Sequence, residues 1–185
     1  MAKRKARKSG SRQPEAITML IQDHQKVQKL FKQFEKTESE DERSRIVEEA
    51  CADLTVHTQL EEQIFYPAVR RALEEADLID EAEVEHDVAK ELIEKLKGMQ
   101  SGNGEFSATF TVLSEYVLHH VEEEQNELFP AARKTDLDFD SLAEEMKQRK
   151  KELRRELGLE PDDAGTQPGS GRASRRTSSS RSATR

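Results

Sequence analysis

A short motif occurs twice in this chain, and both copies keep the same internal spacing. In each copy a glutamate follows a histidine by four residues, and an aromatic residue, a proline and an alanine come shortly after it. The matched parts are His57 with His120, Glu61 with Glu124, and residues 66–68 with residues 129–131. The two histidines are 63 positions apart (120 minus 57), as are the two glutamates (124 minus 61). This register indicates an internal duplication.

One further histidine precedes each copy of the motif. Asp23-His24 lies in the first half of the chain and Glu85-His86 in the second, and these histidines are 62 positions apart (86 minus 24). Apolar residues after them also match in character. Four of the five histidines therefore belong to one pattern that is used twice.

Apolar residues recur at three- and four-residue steps over five segments, which is the period of amphipathic helices. The predicted helices cover roughly residues 14–36, 41–74, 79–98, 105–134 and 139–157. Short connections between long helices favour antiparallel neighbours. We therefore predict an all-α fold, an up-down-up-down four-helix bundle with an additional C-terminal helix. Pro67 and Pro130 should each remove one helical hydrogen bond and kink a helix beyond the motif.

The composition divides the chain into a helical body and two tails. Residues 14–134 should form the bundle and residues 135–160 the C-terminal amphipathic helix. The basic segment 1–13 and the Arg/Ser-rich segment 161–185 are almost without apolar residues. Because such segments cannot offset the entropy of ordering, both are predicted to be disordered.

Charge is distributed unevenly between these parts. The net charge is −8 overall, but the tails carry +6 and +3, which leaves −17 on residues 14–160 (−8 minus 9). An acidic body is unlikely to bind nucleic acid, whereas the basic tails could bind nucleic acid or an acidic partner nonspecifically. The alternative for the tails is a solubilising or localising role.

Cys51 is the only cysteine, so the chain forms no internal disulfide, and we predict a reducing, cytoplasmic location. The N-terminus is basic and no long apolar run follows it. Neither a secretory signal nor a membrane span is predicted.

The repeated histidines and glutamates lie on the stripes that face the bundle core. Residues at i and i+4 share one helix face, so each histidine-glutamate pair can reach one centre. Burying six such groups without a counter-charge would cost on the order of several kcal/mol each. We therefore predict a metal cluster. The predicted ligands are His24, His57, Glu61, His86, His120 and Glu124.

The ligand types restrict the metal. Imidazole and carboxylate without thiolate suit iron, with manganese or zinc less favoured. Two ions fit the pseudo-twofold set. In that arrangement His24 and His57 hold one ion, His86 and His120 hold the other, and the two glutamates bridge them.

These segments resemble the hemerythrin-like HHE cation-binding domains. The resemblance covers roughly residues 14–134 and rests on the segments LIQDHQKV, HTQLEEQIFYPA, EVEHDVAKEL and HHVEEEQNELFPA. It implies a non-haem di-iron centre, oxo- or hydroxo-bridged as well as carboxylate-bridged. Such a centre reacts with oxygen, peroxide or a related small oxidant.

The chain departs from the oxygen-carrying members of that family at three places. Lys90 stands where they have a further histidine, Gln28 holds the symmetry-related place, and Glu124 replaces a more distant aspartate. Fewer ligands should leave open metal positions, which favours redox or gas sensing or peroxide handling over reversible oxygen carriage. The sequence leaves open whether the protein turns over as an enzyme. The alternative is a regulatory or interaction module, or an iron storage or delivery protein, in which the tails or the last helix bind a partner.

The sequence leaves open the roles of several residues around the predicted ligands. Asp23 and Glu85 are either acceptors that orient imidazoles or solvent-facing acids. Tyr116 either donates to a bound oxygen species or is a core tyrosine bonded elsewhere. Glu127 is a possible extra ligand or proton relay. Glu62, Glu122, Glu123 and His119 are expected at the surface.

Overall fold

The structure is a computed structural model that describes residues 13–73 and 76–159. Apart from Gln13, the two predicted disordered tails lie outside the described residues. Within the described ranges every regular element is a helix, and the helices form the predicted bundle with its additional helix.

Each long helix of the bundle begins and ends close to its predicted position. The elements are α1 (Glu15–Lys36), α2 (Glu40–Leu60), a first π-turn (Glu61–Phe65), α3 (Tyr66–Ala72), α4 (Asp77–Lys97), α5 (Gly104–Glu123), a second π-turn (Glu124–Leu128), α6 (Phe129–Ala132) and α7 (Phe139–Glu156). The second and fourth predicted helices are therefore each one continuous rod, α2 to α3 and α5 to α6, interrupted by a π-turn. None of the described helices has the length and hydropathy of a membrane-spanning segment.

The π-turns lie directly before the two repeated prolines. At Tyr66 and Phe129 the backbone N–H donates to the carbonyl five residues earlier, at Glu61 and Glu124 respectively. Proline lacks an N–H and clashes with the carbonyl four residues before it, and a wider turn ahead of the proline accommodates both effects. The sequence predicted a disturbance at both prolines. The structure shows that it takes the form of a π-turn that begins at each repeated glutamate.

The core has two large apolar clusters with a polar layer between them, and a smaller third cluster of Val56, Leu60 and Leu153. Along each rod a histidine separates a residue of one cluster from a residue of the other. The flanking pairs are Leu20 and Val27 around His24, Leu54 and Ile64 around His57, Ala82 and Ala89 around His86, and Val117 and Leu128 around His120. The four histidines are themselves buried. The apolar clusters therefore hold the polar layer away from water on both sides.

The last helix, α7, packs against α1, α2 and the first π-turn. Leu142, Ala143 and Met146 join the apolar cluster that contains Ile64. On the polar face of α7, Arg149 Nε donates to Gln63 Oε1 of the first π-turn at 2.9 Å. The helix thus covers one half of the duplicated bundle.

The turn before α5 is set by local chemistry. Gly102 has φ of 90°, a left-handed conformation that side chains with a Cβ rarely adopt. Asn103 caps α5, because its side-chain oxygen accepts from the Phe106 N–H at 2.6 Å. This places the start of α5 within one residue of the predicted position.

Candidate metal centre

The six residues predicted as ligands converge in the polar layer. Four histidine Nε2 atoms and two carboxylates face one another there. The separations are 3.0 Å for His24 Nε2 to His57 Nε2, 3.3 Å for His86 Nε2 to His120 Nε2, 3.1 Å for His57 Nε2 to Glu61 Oε2, 3.4 Å for His86 Nε2 to Glu61 Oε2, and 3.3 Å for His24 Nε2 to Glu124 Oε2. One longer pair, His120 Nε2 to Glu124 Oε2, measures 3.8 Å. Glu61 is thus shared between the two halves.

These separations suit atoms that share a metal ion. Two ligands about 2.1 Å from one ion and at right angles to each other are about 3.0 Å apart. The donors form two groups whose atoms lie within 4.8 Å of one another. The groups are His24, His57, Glu61 and Glu124, and Glu61, His86 and His120. The residues therefore fit two cations in adjacent positions.

The two buried carboxylates need a positive partner. Glu61 is 0% exposed and Glu124 is 2% exposed. Among the described residues, both oxygens of Glu61 and Oε2 of Glu124 have no assigned hydrogen-bond partner, and the two Oε2 atoms face imidazole nitrogens at 3.1–3.8 Å. A buried, unpaired carboxylate costs on the order of several kcal/mol. Cations bound between the glutamates and the histidines would remove this cost.

The local electrostatics favour positive charge in the same place. Burial lowers the pKa of His57, but the neighbouring charges of Glu61 and Asp23 outweigh it and raise the pKa to about 10. Burial likewise lowers the pKa of His86, but its contacts with Glu61 and Glu62 raise the pKa to about 9. Burial raises the pKa of Glu61, yet the facing histidines hold it well below its usual range. Glu61 thus favours protons on His57 and His86, which is charge that metal ions would supply instead, whereas burial lowers the pKa of His24.

The outward-facing Nδ1 atoms meet a second set of residues. Each histidine has a different neighbour there. His120 Nδ1 lies 2.8 Å from Glu85 Oε2, His86 Nδ1 lies 3.1 Å from Glu62 Oε1, His24 Nδ1 lies 3.1 Å from Gln125 Nε2, and His57 Nδ1 lies 3.8 Å from Asp23 Oδ2. Such contacts fix the ring orientation and the tautomer of a metal-binding histidine. Asp23 therefore faces His57, and Glu85 faces His120. Neither acid faces the histidine that follows it in the sequence.

Glu62 corrects a sequence expectation. It was expected at the surface, yet it is partly buried between His86 and Lys90, whose Nζ donates to it at 3.0 Å. The hydrogen bonds to His86 and Lys90 lower its pKa. Gln125 occupies the equivalent place of the second motif and faces His24. The residue after each clustered glutamate thus reaches the lone histidine of the other half.

Tyr66 is the site residue that the sequence reasoning overlooked. Its hydroxyl donates to Glu124 Oε1 at 3.1 Å and lies 3.4 Å from His86 Nε2. The Tyr66 ring stacks on His86, and at the matching position the Phe129 ring stacks on His24. The sequence did contain a signal for it, because the aromatic-proline-alanine step begins with tyrosine in the first copy and with phenylalanine in the second. The two halves therefore differ by one hydroxyl group at the centre.

The remaining candidates lie at the edge of the centre or outside it. Tyr116 is 46% exposed and lines a cavity of about 20 Å³ together with Glu85 and the four histidines. The expectation of Glu127 as an extra ligand is not supported, because its side chain is exposed to solvent. Its counterpart Ile64 is buried in the apolar cluster to which α7 contributes. Lys90 points to Glu62 and Asp87.

Residues 15–132 match the family described as the Hemerythrin HHE cation binding domain. The chain belongs to this family. The match covers well over half of the sequence and includes all six clustered residues.

Two relatives place this HHE domain among known proteins. A "DNA nickase" from Nostoc sp. strain PCC 7120 is 30% identical over 145 residues, which are 77% of this chain and 41% of that protein. The chain thus spans less than half of the length of that curated relative. A solved Hemerythrin HHE cation binding domain-containing protein from Mycobacterium kansasii has a TM-score of 0.64 at 22% identity, covering 75% of this chain and 86% of that one. The second likeness shows the shared fold.

Proposed function

We propose that this HHE domain is a non-haem di-iron protein that reacts with oxygen, peroxide or a related small oxidant. His24 and His57 would hold one ion, His86 and His120 would hold the other, and Glu61 and Glu124 would supply carboxylate ligands to the pair. The observation that carries the proposal is the buried, unpartnered Glu61 carboxylate that faces histidines of both halves. Iron bound there would supply the electrons for reduction of the oxidant.

The protein's own residues would shape that chemistry by access and by hydrogen bonding. The cavity of about 20 Å³ beside the four histidines has room for a molecule the size of water or a diatomic gas. Tyr66 directs a hydroxyl at Glu124 from inside the core. Lys90 holds a contact with Glu62 and adds no ligand to the cluster. These features favour small oxidants and fit a centre that keeps exchangeable positions.

Metal analysis tests the metal part of the proposal. After anaerobic reconstitution with ferrous iron, we expect about two ions per chain. Exposure to air should then give the near-ultraviolet absorption of a bridged ferric pair. A plateau at one ion, or a preference for zinc without that absorption, would contradict it.

Reactivity separates an enzyme-like centre from a storage or sensing site. The reduced protein, mixed with hydrogen peroxide, should oxidise rapidly and consume peroxide over repeated cycles if it handles peroxide. One oxidation without turnover favours a sensor. Uptake of many more than two irons per chain favours storage. A stable oxygen adduct that is released under vacuum over many cycles would return the protein to the carrier class.

The nickase relative supports a second candidate function, which is metal-dependent nicking of DNA. The identity extends over 77% of this chain, although the acidic body opposes binding to a polyanion. Supercoiled plasmid incubated with the iron-loaded protein, and with the Glu61→Ala variant as control, decides the question. Relaxation of the plasmid by the wild type alone, in the presence of catalase, would establish nicking that does not depend on free peroxide.

A further inference from the structure

A carboxylate beside the metal centre is held by the C-terminal helix. Lys150 Nζ of α7 donates to Asp23 Oδ1 of α1 at 2.6 Å, and both side chains are more than four-fifths buried, at 16% and 17% exposure. One turn further along α7, Arg154 Nη1 donates to Asp53 Oδ1 at 3.0 Å. A cavity of about 10 Å³ lies between these pairs and the rings of His24 and His57. Two charged contacts thus attach α7 beside one half of the centre.

The contact with Lys150 leaves Asp23 too far from the imidazole that it faces. Asp23 Oδ2 is 3.8 Å from His57 Nδ1, which is longer than an N–H···O hydrogen bond. Among the described residues the buried His57 Nδ1 has no hydrogen-bond partner. In the other half, Glu85 Oε2 lies 2.8 Å from His120 Nδ1. The two motif histidines therefore have unequal acceptors, in addition to the differences between Tyr66 and Phe129 and between Glu62 and Gln125.

We propose that α7 makes the two metal positions inequivalent. Lys150 binds Asp23 and so prevents it from accepting a full hydrogen bond from His57. An imidazole that donates its N–H to a carboxylate is a more basic metal ligand, so His57 would be a weaker donor to a bound ion than His120. Lys150 is a positioning residue that acts through Asp23 and His57. The inference rests on the proposed di-iron centre.

Mössbauer spectroscopy of the full-length protein loaded with ⁵⁷Fe tests this directly, because it reports each iron separately. The oxidised wild type should give two quadrupole doublets of equal area. In Lys150→Gln, Asp23 becomes free to approach His57, and one doublet should shift while the other stays unchanged. Lys150→Arg keeps a cationic donor and should resemble the wild type. The matched control is Lys151→Gln, an exposed neighbour on the same helix, which should change neither doublet.

Two further variants assign the effect. Glu62→Gln alters the partner of His86 and should move the doublet that Lys150→Gln leaves in place. In an Asp23→Asn background, Lys150→Gln should produce no additional shift, since the lysine acts through the aspartate.

A second measurement does not depend on iron. In ¹⁵N-labelled, zinc-loaded protein the His57 Nδ1–H resonance should move downfield in Lys150→Gln as Asp23 becomes its acceptor. An unchanged resonance overturns the inference, as do two unchanged doublets, two equally shifted doublets, or a wild type with one doublet. Fewer than two irons in the wild type would instead defeat the di-iron proposal.

Discussion

The four clustered histidines of this HHE domain make contacts through both ring nitrogens. Each clustered histidine directs Nε2 to the centre and Nδ1 outward to a neighbouring residue. A residue's role therefore depends on which nitrogen it meets. Glu61 faces Nε2 atoms from both halves and Glu62 faces one Nδ1 atom, although they are adjacent in the sequence.

Position on the helix, and not acidity, should decide which glutamates matter for metal binding. We expect Glu61→Ala or Glu124→Ala to reduce iron from about two ions per chain to one or none, because the bridging carboxylate is lost. Glu122→Ala is the control, since that side chain is exposed. Iron content per folded chain is the measurement. Equal loss in all three variants would mean that diffuse negative charge holds the metal.

The Tyr66 hydroxyl should contribute to stability through Glu124. Tyr66→Phe keeps the ring that stacks on His86 but removes the donor to a buried carboxylate. We expect the metal-free variant to lose about 1–3 kcal/mol of unfolding free energy in urea denaturation. Tyr116→Phe, at a half-exposed position, should change it by less than about 0.5 kcal/mol. Similar losses in both variants would contradict a specific role for the Tyr66 contact.

The Cys51 thiol should be unreactive towards thiol reagents in the folded protein. Burial raises the pKa of its thiol to about 12. The reactive thiolate would be about one part in ten thousand at pH 8, and the side chain lies within an apolar cluster. We expect labelling by a thiol reagent only after unfolding in denaturant. Rapid labelling under native conditions would show that this end of the bundle opens readily.

Among the helical elements, the two π-turns connect the local sequence most directly to the site. Each begins at a glutamate of the histidine-glutamate motif and ends two residues before a proline. The equivalent turns nevertheless have different surroundings, because α7 packs on the first of them. This is why Ile64 is buried whereas Glu127, at the matching position, is exposed.

Helix caps provide a test at the scale of single elements. Asn103→Ala should lower the unfolding free energy by about 1 kcal/mol, because the capping bond to the Phe106 N–H is lost. Ser39 stands at the equivalent position before α2, but in the described structure its side chain makes no capping bond. Ser39→Ala should therefore have a smaller effect. Equal losses measured by urea denaturation would indicate that both residues cap their helices in solution.

At the scale of the whole molecule, the polar layer lies between two large apolar clusters. The stability of the bundle should therefore depend on metal bound in that layer. Removing the metal leaves buried carboxylates without their counter-charge. At a free metal concentration one hundred times Kd, binding adds about 2.7 kcal/mol. For a chain of this size, that corresponds to a fall in Tm of about 5–10 °C on chelation.

Differential scanning calorimetry with and without chelator measures this shift. A Glu61→Ala variant that does not load should show the same Tm under both conditions. Unchanged melting of the wild type would mean that the six residues do not form a metal-stabilised site.

Local periodicity was sufficient to predict most of the architecture. Helix type, approximate ends and the inward direction of His24, His57, His86 and His120 all follow from steps of three and four residues, since helical geometry depends on near neighbours in the sequence. The duplication then predicted that these residues converge with Glu61 and Glu124 in one layer. The matched prolines indicated where the helical ladder is disturbed.

Contacts between distant residues decided what the repeat alone did not. The partner of each Nδ1 atom comes from another helix, so Glu62 meets His86 and Asp23 meets Lys150 only in the packed bundle. The difference between Tyr66 and Phe129 is visible in the sequence. The contact of the Tyr66 hydroxyl with Glu124 appears only in the packed bundle. The near-symmetry of the sequence is also broken by α7, whose main contacts are with α1, α2 and the first π-turn. Such contacts depend on which surfaces remain to be buried once all helices are present, and residue spacing along one helix carries no information about that.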